Sequence, residues 1–357
     1  MPALHNRTPF AAVDFFSVDR DARELLVLCV AGTFDLRRAT SVDLVPPIAD
    51  QQLPPTLAEE WSAEPGASSL RRDSQAVYTR PGTDVVVWGH AVGPRGRPVA
   101  QQPVSLRAGP LLRRALVSGT RVWRRGAHGL SPSDPVPFES MPLLYERAFG
   151  GVAPQAPSPA ATPASPSPAA PRTPAFCAQN PIGIGYYTSE REALDQPLPA
   201  LEDEAALIRT PLDHPAPFGF GPLPRHFQPR AGYAGTCDDH WRETRAPLWP
   251  TDLDERFFQG APPGAVATPH LRGGEPVVLE GTTPDGPLAF TLPPHRLAAR
   301  ITLRGKRESR ALRLDAVAID ADDRRLTLIW RAAFPAHRAL AHLTETLVRW
   351  ARPEDAA

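Results

Sequence analysis

The chain has 357 residues, of which 42% are apolar and 22% are charged, a composition typical of globular proteins. Its 39 basic and 39 acidic residues cancel, so charge gives no reason to expect binding to nucleic acid or to an anionic membrane. No segment approaches the roughly 20 consecutive apolar residues that cross a bilayer, and the N-terminus lacks a signal-peptide pattern. The three widely spaced cysteines do not form a disulfide framework. These features predict a cytoplasmic protein without membrane insertion.

The first third of the chain alternates short apolar runs with turn residues. Residues 10–16 and 24–34 flank a polar turn, a pattern typical of an antiparallel hairpin. Further strands are predicted, at the spacing of a sandwich or barrel, in the runs at 76–80, 84–92, 103–109 and 111–119. No helical periodicity of comparable length interrupts these runs, which argues against a doubly wound parallel sheet.

Residues 152–175 consist mainly of Ala, Pro and Ser and show no apolar periodicity. Such a composition cannot build a core, so the tract is predicted to be a flexible loop insertion. It separates a predicted N-terminal β domain at 1–151 from a loop-rich segment and C-terminal β domain at 176–350, which a tail at 351–357 follows. The predicted fold is therefore mainly β, with two antiparallel β-sandwich or barrel-like units joined by long ordered Pro/Gly-rich loops and few short helices.

The last third of the chain returns to alternating apolar and polar residues. Strands are predicted in the runs at 276–283, 288–294, 298–305, 309–320 and 324–334, and the acidic residues between the last two form a hairpin turn. The run at 340–350 is predicted to be a final strand rather than a helix. One short helix is predicted at 237–244 with Thr236 as its N-cap. The three acids at 202–204 are interpreted as the solvated start of another helix.

Residues 232–263 combine large rings, arginines and carboxylates without a familiar catalytic pattern. Aromatic and Arg side chains of this kind are enriched where proteins bind other proteins. The candidates for partner contact in this segment are Trp241, Arg245, Trp249, Asp254, Phe257 and Phe258. The alternative interpretation is a structural clasp, in which the rings are buried and the charges pair with one another. The two interpretations are compatible.

A second block, MPLLYERAFGG at 141–151, also has a structural and a functional interpretation. In the structural one, the Tyr145 ring lies in the core, Glu146 and Arg147 pair locally, and the glycines at 150–151 permit a turn that other residues would not tolerate. In the functional one, the block belongs to the surface that contacts a partner, because ordered loops on a rigid β scaffold often carry binding residues. Its candidate contact residues are Tyr145, Arg147 and Phe149.

Enzyme chemistry has one local candidate. Cys237 and His240 are three residues apart beside two aspartates, which suits a thiol nucleophile or a metal ligand pair. Zinc needs three or four ligands, however, and no second Cys/His cluster completes the shell, so no metal and no cofactor is predicted. His90 and His128 each lack a local catalytic partner. A cysteine-dependent or carboxylate hydrolase centred on Cys237 and His240 is the enzyme alternative, and a carbohydrate-binding β module with exposed tryptophans is another.

The blocks at 141–151, 180–186 and 232–263 together resemble the bacterial family catalogued as domain of unknown function 2169. Further matching pieces are the motifs NRTPFAA, GTF, EPGASSLR, PGTDVVVWGHA, FGFGPLPRHFQPR and LRGGEPV. The resemblance runs over roughly residues 5–335. It implies a non-enzymatic adaptor or chaperone of type VI secretion, whose protein partners are a secretion effector and the VgrG or PAAR tip of the spike. The family carries no assigned catalytic residues, so the resemblance transfers none to this chain.

Overall fold

The computed structural model describes residues 3–154, 174–336 and 339–355. Of these described residues, 40% lie in strands and 9% in helices, which confirms the prediction of a mainly β fold. Before the Ala/Pro/Ser tract the strands are β1 (Leu4–Asn6), β2 (Ala11–Val18), β3 (Glu24–Asp35), β4 (Glu60–Trp61), β5 (Leu70–Arg72), β6 (Thr83–Trp88), β7 (His90–Val92), β8 (Gln101–Ala108), β9 (Leu111–Ser118), β10 (Trp123–Gly126), β11 (Gly129–Pro132), β12 (Ser140–Pro142) and β13 (Phe149–Gly150).

The described residues after the tract contain ten further strands and three short α-helices. The strands are β14 (Ile184–Gly185), β15 (Leu201–Asp203), β16 (Val266–Ala267), β17 (Pro276–Glu280), β18 (Leu288–Thr291), β19 (Leu297–Leu303), β20 (Lys306–Ala311), β21 (Arg313–Asp320), β22 (Arg325–Pro335) and β23 (Leu343–Trp350). The helices are α1 (Glu190–Ala193), α2 (Gln228–Ala231) and α3 (Asp239–Thr244). Single 3-10 turns lie at Pro94–Gly96, Tyr145–Arg147, Glu255–Phe258, Leu340–His342 and Pro353–Asp355. None of the helices in the described part of the chain has the length and apolar character needed to span a membrane.

The largest sheet has six strands in the order β16-β6-β21-β22-β3-β2. The predicted hairpin at 10–16 and 24–34 is confirmed, because β2 pairs antiparallel with β3. The predicted turn between 309–320 and 324–334 is also confirmed, since β21 and β22 form an antiparallel hairpin around it. The β6 strand runs parallel to β21, a pairing that the antiparallel prediction did not include. Parallel pairing requires a long connection, and more than half of the chain separates these two strands.

Two further sheets complete the main scaffold. A five-stranded sheet has the order β15-β9-β8-β17-β18, and all of its pairs are antiparallel. A four-stranded sheet has the order β1-β23-β19-β20. Its β23 strand confirms the prediction of a final strand at 340–350. Within the described residues no sheet closes on itself, so the architecture is sandwich-like rather than a closed barrel.

All three of these sheets combine strands from both sides of the tract at 152–175. In the six-stranded sheet, for example, β22 from the C-terminal part pairs with β3 from the N-terminal part along eleven registered residue pairs. The predicted division between 1–151 and 176–350 therefore does not divide the sheets. The middle of the tract itself, residues 155–173, lies outside the described residues, as do the last two residues of the predicted tail.

The β3 strand contributes to a core on each face of the six-stranded sheet. Successive strand residues point to opposite faces, so Leu26 and Leu28 enter the main core while Leu25 and Val27 enter a second one. The main core also contains buried side chains of the five-stranded and four-stranded sheets. We refer to the side of the six-stranded sheet that bears Leu25 and Val27 as its outer face. Because both faces of β3 are buried, its sequence is an almost continuous apolar run.

Three local predictions are wrong. Residues 76–80 do not form a strand; their segment is held by the Arg331 guanidinium, which donates to the Val77 carbonyl oxygen at 2.6 Å. The N-cap of α3 is Asp238 rather than Thr236, because the Asp238 carboxylate accepts from the Trp241 backbone N–H at 2.8 Å. The acids at 202–204 do not begin a helix either. Glu202 lies in β15, where pairing with β9 overrides local helix propensity.

Candidate functional site

The aromatic segment, residues 232–263, packs against the outer face of the six-stranded sheet. Phe257 and Phe258 are buried in one cluster with Leu25 and Val27 of β3, and the half-buried Trp249 packs on the same cluster. The rings meet edge to face, with centroids of Trp249 and Phe258 5.4 Å apart and those of Phe257 and Phe258 5.8 Å apart. This geometry is favoured between aromatic rings. The two phenylalanines therefore serve as core of the fold.

Hydrogen bonds close the first half of the segment on itself and on the scaffold. The Trp241 indole N–H donates to the Leu248 carbonyl oxygen at 2.9 Å. The Arg245 guanidinium donates through Nε to the Trp249 carbonyl and through Nη2 to the Arg20 carbonyl, each at 2.5 Å. Because Arg20 lies in the turn between β2 and β3, Arg245 clasps the segment to this hairpin. Trp241 and Arg245 are both half-buried.

Asp254 begins the 3-10 turn Glu255–Phe258. Its carboxylate accepts from the backbone N–H and from Nε of Arg256, each at 2.9 Å. These hydrogen bonds from Arg256 lower the pKa of Asp254 below its ordinary value. Asp254 therefore stabilises the start of the turn that carries the two buried phenylalanines. Its side chain stays partly exposed, as do those of Trp241, Arg245 and Trp249, so these four are the predicted contact residues of the aromatic segment that a partner can reach.

The three candidates of the 141–151 block have different surroundings. Tyr145 is buried, its ring meets that of Phe227 edge to face at 6.0 Å, and its hydroxyl donates to the Gly221 carbonyl at 3.0 Å. Phe149 is buried in another cluster, which contains Trp123. Arg147 is exposed. The structure therefore places the two rings in separate clusters, apart from the aromatic cluster of Phe257 and Phe258, and leaves only Arg147 at the surface.

The predicted local pair of Glu146 and Arg147 is wrong. Glu146 instead accepts hydrogen bonds from the Ser69 backbone N–H at 2.8 Å and from the Ser69 hydroxyl, so it ties this block to a distant loop. Gly150 and Gly151 have φ values of 149° and 90°, which favour glycine, but they lie at the end of β13 and directly after it, so the predicted turn is not formed there. A Cβ at either position would also collide with the backbone of the 180–183 segment. No other residue fits there.

A buried charge network contacts the aromatic segment. It is formed by Asp73, Arg80, Asp84 and Arg230. Arg80 Nη2 is 2.9 Å from Asp73 Oδ2, Arg80 Nη1 also contacts Asp84, and Arg230 Nη1 is 3.1 Å from Asp73 Oδ1. Burial alone would raise the pKa of Asp73, but Arg230 and Arg80 outweigh it and lower the pKa. Arg230 also donates from Nε to the Phe257 carbonyl at 3.2 Å. The network thus connects the strands before the tract with the aromatic segment after it.

A second buried pair extends this arrangement. The Arg331 Nε is 2.6 Å from Asp315 Oδ2, and both side chains are 2% exposed, which leaves the pair almost without water. Residue types alone gave no signal for these contacts. Asp73 and Arg230 are separated by 157 positions, so only the folded chain brings them together. Beside the network, the outer face of the sheet holds a cavity of about 90 Å³, whose lining combines charged and polar side chains such as Arg80 and Asp84 with apolar ones such as Ala316 and Ile329. It has room for little more than one side chain.

The structure shows an ordered loop with exposed apolar side chains that the sequence did not predict. We call residues 42–57 the apolar strap, and its exposed apolar residues are Val42, Val45, Ile48 and Leu57. The backbone is nevertheless fixed, because the Gln52 side chain accepts from the Thr33 N–H at 2.8 Å and donates to the Thr33 carbonyl at 3.0 Å. The Leu53 N–H donates to the Thr33 hydroxyl at 3.0 Å. Its sequence signal was weak, since the loop has several prolines and no periodicity.

The enzyme candidates are spread over the surface. Cys237 is exposed and forms no disulfide, and His240 is exposed in the neighbouring α3. Within the described ranges, no group of three His, Cys, Asp or Glu side chains has the geometry to hold a metal ion. His90 Nδ1 lies 2.8 Å from Asp322 Oδ2 in an exposed pair, and His128 is exposed in a turn.

The acidic and tryptophan candidates have structural surroundings. Glu202 is buried and pairs with Arg121, and it accepts from the Ile208 backbone N–H at 2.9 Å. Trp123 and Trp330 are buried, whereas Trp350 is 40% exposed and packs edge to face on Phe10. The exposed stacking platform that a carbohydrate module needs is therefore limited to partly exposed indoles.

Comparison with known families gives one match. The family model described as "Uncharacterized protein conserved in bacteria (DUF2169)" matches residues 21–331. The chain belongs to this family. The DUF2169 match extends across the tract at 152–175 and includes the aromatic segment, the apolar strap and the buried charge network. No curated protein and no solved structure matches the chain significantly.

Proposed function

We propose that this DUF2169 protein is a non-enzymatic cytoplasmic adaptor that binds a type VI secretion effector and promotes its loading onto the VgrG or PAAR spike tip. The family match over residues 21–331 supports this proposal, because the resemblance of the chain to that family implies such a role. Binding would cover apolar surface of the effector before export and reduce its tendency to aggregate.

The observation that carries the proposal is the apolar strap. Four large apolar side chains of one loop are exposed while hydrogen bonds to Thr33 fix its backbone. Single exposed apolar residues are common, and we propose that the four in this one ordered loop contact the partner. An ordered backbone also lowers the entropy lost on binding. The half-buried Trp241, Arg245, Trp249 and Asp254, with the exposed Arg147, are further proposed contacts.

The direct test is a pull-down with the tagged full chain as bait and, as prey, a type VI toxin whose gene is found beside the gene for this protein. We expect the wild-type chain to retain the toxin in mild salt and the double variant Val45→Asp/Leu57→Asp to lose it, because carboxylates in an apolar contact remain desolvated and unpaired. The matched control is Leu112→Asp/Val136→Asp, which changes apolar side chains outside the strap that are at least as exposed. No retention by the wild-type chain would contradict the proposal.

The enzyme alternative has its own test. If the chain were a cysteine-dependent hydrolase, Cys237→Ala would abolish its activity. For an adaptor we expect Cys237→Ala to retain the toxin as the wild-type chain does, since the thiol is exposed and makes no disulfide. Loss of function in this variant with an unchanged circular dichroism spectrum would favour the enzyme.

A further inference from the structure

A cleft of about 750 Å³ lies where the four-stranded sheet meets the six-stranded sheet. It is bounded by β19 and the end of β20, by the start of β21, by the loop at 269–272 and by the chain after β23. Its floor is apolar and buried, and it consists of Leu297, Leu312, Leu314 and Trp330. The volume lies in the range of sites that bind small molecules or peptide side chains.

The rim of this cleft is cationic. Four exposed arginines line it, one of which is Arg352. The other three form no ion pair with any residue that the structure describes: Arg272, Arg296 and Arg313. The nearby Glu275 accepts from the backbone N–H of Arg272 at 2.7 Å. We call this site the arginine cleft, defined by the three arginines and the four floor residues.

The acidic side chain that lines the cleft is already occupied. Asp355 accepts from both terminal nitrogens of Arg349, at 2.6 and 2.9 Å, and from the Arg352 backbone N–H at 2.7 Å. Its charge is therefore balanced within the chain end and does not neutralise the rim. His295 lines the cleft as well, but its ring stacks on Phe34 at 5.6 Å, and burial lowers its pKa, which disfavours a positive charge on the imidazole. The positive charge of the rim thus comes from arginines.

We infer that the arginine cleft binds an extended acidic segment of a polypeptide, with apolar side chains on the floor and carboxylates on the rim. Guanidinium groups match carboxylates in planar, two-point hydrogen bonds, and they do so at any physiological pH. A nucleic acid fits less well, because the chain as a whole has a formal net charge of +0 and the floor offers apolar rather than polar contacts. No residue of the strap lines the cleft, so the cleft supplies a second set of contacts for the partner.

Which protein carries the acidic segment is inferred from the proposed function. If the protein is an adaptor, the acidic segment belongs to the secreted effector or to the spike tip. Two separated contacts on one scaffold raise the effective concentration of the second contact once the first has formed. The adaptor would then hold its cargo more tightly than either surface alone.

The binding test uses the full chain and a short fluorescein-labelled peptide that alternates Leu and Glu, followed by fluorescence anisotropy. We expect binding that weakens with salt, and at least an about tenfold rise in Kd for Arg272→Gln/Arg296→Gln/Arg313→Gln. Peptides with Gln or Lys in place of Glu should bind at least about tenfold more weakly than the Glu peptide. Equal binding of the Glu and Gln peptides would overturn the inference.

The matched control removes three other exposed arginines: Arg38→Gln/Arg107→Gln/Arg125→Gln. It carries the same change in net charge, so equal losses in both triple variants would show a general charge effect and overturn the inference. A labelled single-stranded oligonucleotide that binds as tightly as the acidic peptide would overturn it as well. The toxin pull-down with the triple Arg→Gln variant of the cleft distinguishes the cleft inference from the adaptor proposal. Toxin retained equally by wild type and cleft variant removes the role of the cleft in cargo binding and leaves the adaptor proposal intact.

Discussion

Arginine has different roles in the buried charge network and in the arginine cleft. Arg80 is 1% exposed and bonded to two aspartates, whereas Arg313 is exposed at the rim of the cleft and has no ion pair within the described residues. A buried guanidinium without a partner is costly, so Arg80 can exist only where the fold supplies carboxylates. An exposed guanidinium keeps its hydration and remains available to a ligand. Burial and pairing, not residue type, thus decide which arginine is structural.

The largest effect should come from breaking the network. We expect Arg80→Met to lower the free energy of unfolding by about 3–5 kcal/mol, because Asp73 and Asp84 stay buried with fewer partners. Urea denaturation measures this change. The control Arg125→Met alters an exposed arginine and should stay within about 0.5 kcal/mol. A loss for Arg80→Met no larger than the control's would contradict the structural role of the network.

The aromatic segment gives a smaller effect. We expect Trp249→Ala to lower the free energy of unfolding by about 2 kcal/mol, less than for a fully buried ring, because the indole is half-buried against Phe257 and Phe258. Thermal or urea unfolding measures the structural role of Trp249, and the toxin pull-down measures its role as a partner contact. If stability is unchanged while toxin retention is lost, Trp249 is a partner contact rather than part of the clasp.

The network should also appear in the dependence of stability on pH. Because the folded-state pKa of Asp73 is lowered, its stabilising contribution is present above about pH 4 and is lost as pH falls through that lowered pKa. Asp73→Asn should therefore be less stable than wild type at pH 7, and the difference should shrink in acid. The exposed Asp50→Asn is the control. A difference for Asp73→Asn that stays constant in urea titrations from neutral to acidic pH would refute this account.

The smallest effect on stability belongs to the arginine cleft. Arg272→Gln, Arg296→Gln and Arg313→Gln should each change the free energy of unfolding by no more than about 0.5 kcal/mol, because they are exposed and break no ion pair among the described residues. Urea unfolding of the single variants measures this. A loss of several kcal/mol would mean that these arginines are structural, and the contrast with the network would disappear.

Local sequence patterns determined most strands and their hairpins. The apolar run at 24–34 and the alternation at 309–320 and 324–334 give strands because side-chain direction along an extended chain has a period of two. The need for glycine at positions 150 and 151 was also predictable, since the conformation of Gly150 and Gly151 excludes other residues, although they lie in and directly after β13 rather than in a turn. Family membership was predictable from short blocks distributed along the chain, and these blocks lie largely inside the matched residues 21–331.

The role of the aromatic segment could not be predicted from the sequence. Composition alone gave the same expectation for a clasp and for a binding surface, because both need rings and arginines. Only the packing of Phe257 and Phe258 against β3 assigns these two rings to the core. Asp238 rather than Thr236 caps α3 for a similar reason, because Thr236 is held instead by the carboxylate of Asp252, 16 positions away.

By itself the sequence determined the β character, the hairpins between neighbouring strands and the family, since each depends on residues close along the chain or on a local motif. The tertiary structure alone decided that both sides of the tract share their sheets, that Asp73 meets Arg230 and that three arginines gather at one rim. Those arrangements join residues far apart in sequence. Their free energy comes from burial and charge pairing in the folded chain, which leave no periodic pattern in the order of the amino acids.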